Sequence, residues 1–333
     1  MEIKTSDKKS DAYSDFIKDK HERLFNTDQA IIDSVVFKVT DSKIALQEKI
    51  MKGEANEVYS VVTESGQEVI VRISHHKNPR FQPEKWALDE CRKLGIPVPE
   101  VLHIESFNLD NKKIEVCVES KLSGTPVKEL REGLSEGEVA VILRKAGEIL
   151  SRINSIKVEG FGDLDENGRG EYKTIQEVLD SHHLDQNEML ETAENISLDT
   201  EIVKKAFRII RGANLSNTTE ARLLHNDFAP KHILVKGDNI TGILDFETVE
   251  GGDPIREFAR WTFYFGSSWP VQYLKEGYTD KSIFTDDFDE KLKLWRIYFG
   301  LSSLDYYVKE GNQVGVGIQK RDSKKILIRS NNA

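Results

Sequence analysis

Cysteine is scarce: Cys91 and Cys117 are the only two in 333 residues, and neither lies in a CxxC or beside a His pair at zinc spacing. A disulfide framework and a structural zinc module are therefore excluded, and a reducing compartment fits best. No stretch approaches the roughly 20 consecutive apolar residues of a membrane span. The N-terminal MEIKTSDKKSDAYSDFIKDK lacks an apolar core and a small-residue cleavage site, so it does not read as a secretory signal, and a cytoplasmic location is expected. Basic side chains are outnumbered, 47 against 57 acidic ones, for a net charge of -10. That shortage argues against a nucleic-acid partner, which would need cations to displace counterions, and favours a cationic small molecule. Oligomeric state leaves no trace in these numbers.

What is present divides by character. Residues 1–28 are charged and read as an extension. From Lys43 to Glu119 the chain is rich in Val and Ile: EVYSVV (57–62), EVIVRI (68–73) and IEVCVE (114–119) predict strands, the first two joined as a hairpin through a turn containing Gly66. PEKWALDECRKLG (83–95) predicts one helix. Beyond Gly124 apolar residues recur at three and four, as in Val139, Ile142, Leu143, Ala146, Ile149, Leu150 and Ile153, and again in Leu294, Ile297, Tyr298, Leu301 and Leu304. HILVK (232–236) and GILDF (242–246) predict a hairpin set among these helices, turning at Gly237-Asp238-Asn239. The expectation is an α+β chain in two lobes: a small β-rich N-lobe over 29–120 and a larger helical C-lobe over 121–333 with an inserted β-hairpin.

The densest chemistry lies at His225-Asn226-Asp227, with His232 five residues beyond Asp227 and Asp245 at the end of the next strand. Phosphoryl transfer needs such a set: one carboxylate to orient an attacking hydroxyl, another to hold the magnesium that neutralises phosphate charge. Either aspartate alone reads as a turn or strand-end residue; their order along one hairpin points to chemistry. Asp253, before Pro254, reads as a helix cap. His75-His76 and His182-His183 lack spaced partners and read as solvated loop histidines.

These residues resemble the catalytic H-x-D-x4-N/H and metal-binding I/L-D-F/W-E motifs of the aminoglycoside phosphotransferase family, and Gly252-Asp253-Pro254 is similar to its G-D-P. GEANEVYSV (53–61), VIVRIS (69–74), LGIPVPEVL (94–102), VCVESKLSG (116–124) and GFGDLDENGRG (160–170) extend the likeness over about residues 45–310, and hygromycin kinase-type members look nearest. The resemblance implies a protein-kinase-like fold, ATP or GTP as co-substrate and Mg²⁺ as cofactor. It makes Asp227 catalytic, has His225 brace the loop and assigns Asp245 and His232 to the metal. Arg72, Glu84, Gly53, Asn56 and the connector residues Glu119, Ser120 and Leu122 fall to the nucleotide. Arg72 stands where protein kinases carry lysine, and His232 where most relatives carry asparagine; imidazole is a poorer magnesium ligand than an amide oxygen.

For the acceptor, Glu247, Glu250, Asp163, Asp165 and Asp185 offer carboxylates that would pair with the ammonium groups of aminosugars. Trp261, Phe265, Trp269 and Tyr273 form an aromatic series that core packing explains equally well, and Pro270 breaks it as one helix. The resulting expectation is a kinase of aminoglycoside or aminocyclitol hydroxyls. The alternatives are a metabolic kinase of choline, homoserine, thiosugar or fructosamine type, and a nucleotide-binding protein without turnover.

Overall fold

The computed structural model describes residues 15–51, 53, 55–109, 112–181, 184–215, 217–317 and 320; His182, His183, Glu54 and the first half of the expected extension lie outside them. Packing divides the chain into two units, Met1–Gly124 with Thr241–Glu247, and Thr125–Ile240 with Thr248–Ala333. Residues 241–247 therefore pack with the first unit, whereas the sequence reading puts them in the C-lobe.

In the first unit, helical residues 15–24 (α1) precede α2 (Gln29–Thr40), whose N-cap Asp28 accepts the Ala30 N–H. An antiparallel sheet follows in the order β1 (Ile44–Lys49), β2 (Asn56–Thr63), β3 (Glu68–Ser74), β5 (Lys112–Ser120), β4 (Val101–Leu109). Strand alternation sends Tyr59, Val61, Val69, Val71, Ile73, Val116 and Val118 to one face, where Ile32, Val35 and Val36 of α2 cover them. Arg72 pairs in register with Cys117, and Ile70 with Glu119, so both charged side chains belong to the opposite face. There α3 (Phe81–Lys93) presents Glu84 from its first turn.

In the second unit, β6 (Thr125–Pro126) and α4 (Val127–Leu130) lead to α5 (Glu136–Ile153). α5 starts at a capping box in which Ser135 and Glu138 bond reciprocally, and its periodic apolar residues are buried. A small sheet that the sequence did not announce runs β7 (Lys157–Val158), β10 (Ala221–Leu224), β13 (Glu250–Gly252), β8 (Phe161–Leu164), β9 (Gly170–Tyr172). Its strands are two to four residues long, too short to show alternation. Between β9 and β10 lie α6 (Ile175–Asp180), α7 (Gln186–Asn195) and α8 (Thr200–Gly212).

β11 (Ile233–Lys236) pairs with β6, and the chain turns at Gly237, φ +59°, into β12 (Asn239–Ile243). The expected strand 242–246 ends early because Asp245 takes φ +67°, which no extended strand accommodates. α9 (Ile255–Tyr264), α10 (Val271–Gly277) and α11 (Phe288–Lys309) complete the unit. The aromatic series is split as Pro270 dictates: Trp261 and Trp269 are buried and share a hydrogen bond from the indole N–H of Trp261 to the carbonyl of Trp269 at 2.9 Å. α5 and α10 approach so closely that a Cβ on Gly147 would meet the Leu274 carbonyl, and one on Gly277 the Arg144 carbonyl.

Candidate active site

Arg72 is the hub of the first unit's polar face. Its Nη1 donates to Glu84 at 2.6 Å and to Glu119 at 3.5 Å, while Nη2 reaches Glu247 at 3.4 Å and stands 3.8 Å from Asp245. Its guanidinium carbon lies 5.2 Å from the centre of the Phe81 ring, so the fork is fixed from one side by an aromatic face. Burial pushes the carboxyls of Glu84 and Glu119 upward against the pull of Arg72. Burial also opposes charge on Arg72, yet Glu84, Glu119, Glu247 and Asp245 together hold its pKa well above the ordinary value. Four carboxyl groups from β5, α3 and the 244–247 segment thus surround one guanidinium.

The segment 244–247 is clasped by backbone as well as side-chain bonds. The Phe246 N–H donates to Glu84 at 3.1 Å, Arg80 donates to the Glu247 carbonyl at 3.0 Å, and Asn56 donates to the Glu247 carboxylate at 2.6 Å. Glu247, expected beside the acceptor, is thus tied to Asn56 and Arg72. The Asp245 side chain is 40% exposed and lies 3.8 Å from Arg72, and its carboxylate oxygens are hard ligands of the kind Mg²⁺ prefers. Of the connector, Ser120 exchanges hydrogen bonds with Glu100, each 2.9 Å, and Leu122 is half-buried. Gly53 is exposed.

The second unit builds its site around the turn after β10. Asn226 adopts φ +58°, a conformation Asn tolerates better than most residues, and both its backbone and side chain are held. Its N–H donates to Glu257 at 3.0 Å and its amide to Glu250 at 2.7 Å. His225 is fully buried and accepts the Asp227 N–H at Nδ1, 3.2 Å away, which fixes its tautomer with the proton on Nε2. The Asp227 carboxylate receives Arg260 on Oδ1 (Nη2 at 2.9 Å, Nε at 3.3 Å) and faces Lys231 at 3.2 Å on Oδ2. Arg260 lies over the rings of Tyr264 and Phe299. Burial opposes its charge, and the Asp227 carboxylate more than restores it.

His232 also braces this turn: its Nδ1 donates to the Asp227 carbonyl at 3.0 Å and its ring stacks with His225, centroids 6.3 Å apart. That bond orients the imidazole through one ring nitrogen, as a histidine that ligates metal is usually oriented.

Three residues here went unread in the sequence. Glu257 is buried, accepts from Asn226 and the His225 backbone, and is pushed up to about 7 by burial against those bonds. Arg256, beside Trp295 at 4.7 Å, donates to Glu250 at 2.6 Å. Arg260 lies one helical turn further along. The available signal was the spacing of Arg256, Glu257 and Arg260 on a helix that opens just after Gly252-Asp253-Pro254, with polar residues at positions otherwise belonging to the apolar face. Asp253 accepts the Ile255 N–H at 3.0 Å, one residue before the assigned N-cap Pro254.

The remaining acceptor candidates separate. Glu250 is occupied by Asn226 and Arg256, Trp269 is core, Asp165 closes its own turn through the N–H groups of Asn167 and Arg169, and Asp185 caps α7. Asp163 is exposed on β8, in register with Glu250.

A model of the phosphotransferase enzyme family matches residues 47–287. No curated protein sequence matches the chain. Among solved structures, a thermostable mutant of aminoglycoside phosphotransferase APH(4)-Ia in apo form is similar at 17% identity and TM-score 0.70, over 90% of this chain and 100% of that one. APH(2")-IIa, in its gentamicin complex, is similar at 16% identity and TM-score 0.62, over 90% and 97%. APH(2")-IIIa, in its complex with GDP and kanamycin, follows at 14% and 0.58, over 91% and 99%. These likenesses show the fold: α+β and protein-kinase-like, with an N-terminal sheet and a larger helical part.

Proposed function

The chain belongs to the phosphotransferase enzyme family, and from that premise we propose that it transfers the γ-phosphoryl group of ATP or GTP to a hydroxyl of an aminoglycoside or related aminocyclitol. The observation that carries this reading is the fixed carboxylate of Asp227, held by Arg260 at 2.9 Å on a turn that Glu257 and His225 pin from below. An aspartate has an ordinary pKa of about 3.9 and is a weak base for an alcohol, but it need only align the hydroxyl and take its proton late in a loose transition state. The acceptor oxygen forms its bond to γ-phosphorus as the bridge to the β-phosphate breaks. Arg72, its charge secured by Glu84, grips phosphate oxygens with a planar fork. Mg²⁺, held by Asp245, would neutralise phosphate charge when bound.

The acceptor class is supported by the neighbours' complexes with hygromycin B, gentamicin and kanamycin, and the co-substrate by those with AMP-PNP and GDP. A second reading, a metabolic kinase with a less cationic acceptor, is favoured by the engagement of Glu247 and Glu250 with arginines. Mass-spectrometric product analysis after incubation with MgATP or MgGTP and a panel of aminosugars, choline, homoserine and thiosugars separates the two. A phosphate on an aminosugar is expected. Phosphate appearing only on another metabolite would refute the acceptor and leave the kinase in place. Asp227→Asn should cut kcat by about a hundredfold or more while leaving nucleotide affinity near wild type.

A further inference from the structure

The extension and the histidine pair at 75 and 76, both unassigned by the motifs, converge in the structure on one short segment. α1 buries His21, whose Nε2–H donates to the Gly53 carbonyl at 2.7 Å and whose ring stands edge-on to Phe25. Phe25 stacks on His75 with centroids 5.3 Å apart, and its carbonyl receives the Lys49 ammonium. The His76 Nε2–H donates to the Ala55 carbonyl at 3.0 Å. Glu57, wholly buried, anchors the set: it accepts from Thr27 Oγ1 at 2.6 Å, Tyr59 Oη at 2.6 Å and His75 Nε2 at 2.9 Å, and faces Lys49 at 3.2 Å. Burial pushes the Glu57 carboxyl up, but the bonds from His75, Thr27 and Tyr59 outweigh it and hold it down at about 2, so the anchor stays charged.

Two of these bonds end on main-chain carbonyls of the segment before β2, at Gly53 and Ala55, and so fix the path of its backbone. Gly53 has nothing within 4 Å of where a Cβ would stand, so side-chain packing does not order it. A binding segment ordered in advance spares the ligand the entropy of ordering it. We infer that the N-terminal segment is a positioning element for the reaction: His21, backed by Phe25, His75 and the Thr27–Glu57 bond, sets the conformation of the backbone at Gly53 and, through Glu57, at its neighbour Asn56 before nucleotide arrives. The inference rests on the reading of those residues as nucleotide-binding. It assigns residues 15–28 a share of nucleotide affinity and none of the chemical step.

The test pairs titration with a fluorescent ATP analogue and steady-state kinetics on the full chain. For His21→Ala, nucleotide Kd and KM should rise about fivefold, the weight of one buried hydrogen bond, while kcat at saturating nucleotide holds. His21→Gln, whose side-chain amide can donate to the same carbonyl, should recover most of the loss. Thr27→Val acts from the Glu57 side, should move KM in the same direction, and decides the matter if His21→Ala does not fold. Equal nucleotide affinity in wild type and variants, with only a lower melting temperature, overturns the inference and leaves the kinase reading untouched. A wild-type chain that binds no nucleotide sinks that reading, and the inference falls with it.

Discussion

Glu257→Gln tests whether the buried carboxyl beneath the Asn226-Asp227 turn is what the structure makes it. In the fold its pKa is raised from an ordinary 4.5 to about 7, chiefly by burial. A carboxyl raised on folding is favoured in its neutral form, so its contribution to stability is full below about pH 4.5. It declines as pH rises, because the unfolded chain ionises first, and is gone above about pH 7. The span between those values corresponds to about 3 kcal/mol. Glutamine keeps an oxygen to accept the Asn226 N–H and has no proton to lose. The stability of wild type relative to the variant should therefore fall by about 3 kcal/mol between pH 4.5 and 8, with glutamine the better residue at the alkaline end. Urea unfolding at fixed ionic strength, followed by the fluorescence of the buried Trp261 and Trp295, reads this directly. A difference that is flat across that range, or that grows with pH, refutes the reasoning. Glu257→Ala is a companion: it leaves the Asn226 N–H without an acceptor and, since neither variant has a proton to lose, should be about 1–3 kcal/mol less stable than Glu257→Gln at every pH.

Arg260→Met removes the guanidinium from Asp227 and should lower kcat about tenfold with nucleotide KM unchanged, Arg260→Lys recovering part; a shift in KM alone would contradict the positioning role. Gly277→Ala places a methyl against the Arg144 carbonyl where α5 and α10 meet, and should destabilise the protein by about 2–3 kcal/mol, seen as a lower urea midpoint; an unchanged midpoint would show that the helices can part.

Local pattern alone carried much of the architecture. Period-two alternation in EVIVRI and the three-and-four recurrence in α5 are properties of neighbouring residues, so β2, β3 and β5 of the first sheet and the helices α3, α5 and α11 were legible, whereas β1, β4 and α2 were not read. The same alternation places Arg72 opposite the apolar face without any coordinates. The second sheet was not legible, because strands of two to four residues have no period.

Charge told less than position. A net charge of -10 suggested acid gathered for a cationic acceptor, yet Glu247 and Glu250 spend their oxygens on Asn56, Arg72, Asn226 and Arg256. A carboxylate's availability depends on the partners folding brings to it, which are 175 residues away in sequence for Glu247 and Arg72.

By itself the sequence determined the succession of a β-rich part and a helical part, the residue types of the phosphoryl-transfer motifs and the family they mark, since these depend on identity and spacing. Only the tertiary structure decided that His232 braces Asp227, that Glu257 and Arg260 hold the turn, and that His21 and Glu57 draw the N-terminal segment onto the Gly53 backbone. Each of those is a distance and an angle between residues that spacing along the chain leaves free, fixed only when folding buries polar groups and brings partners to them.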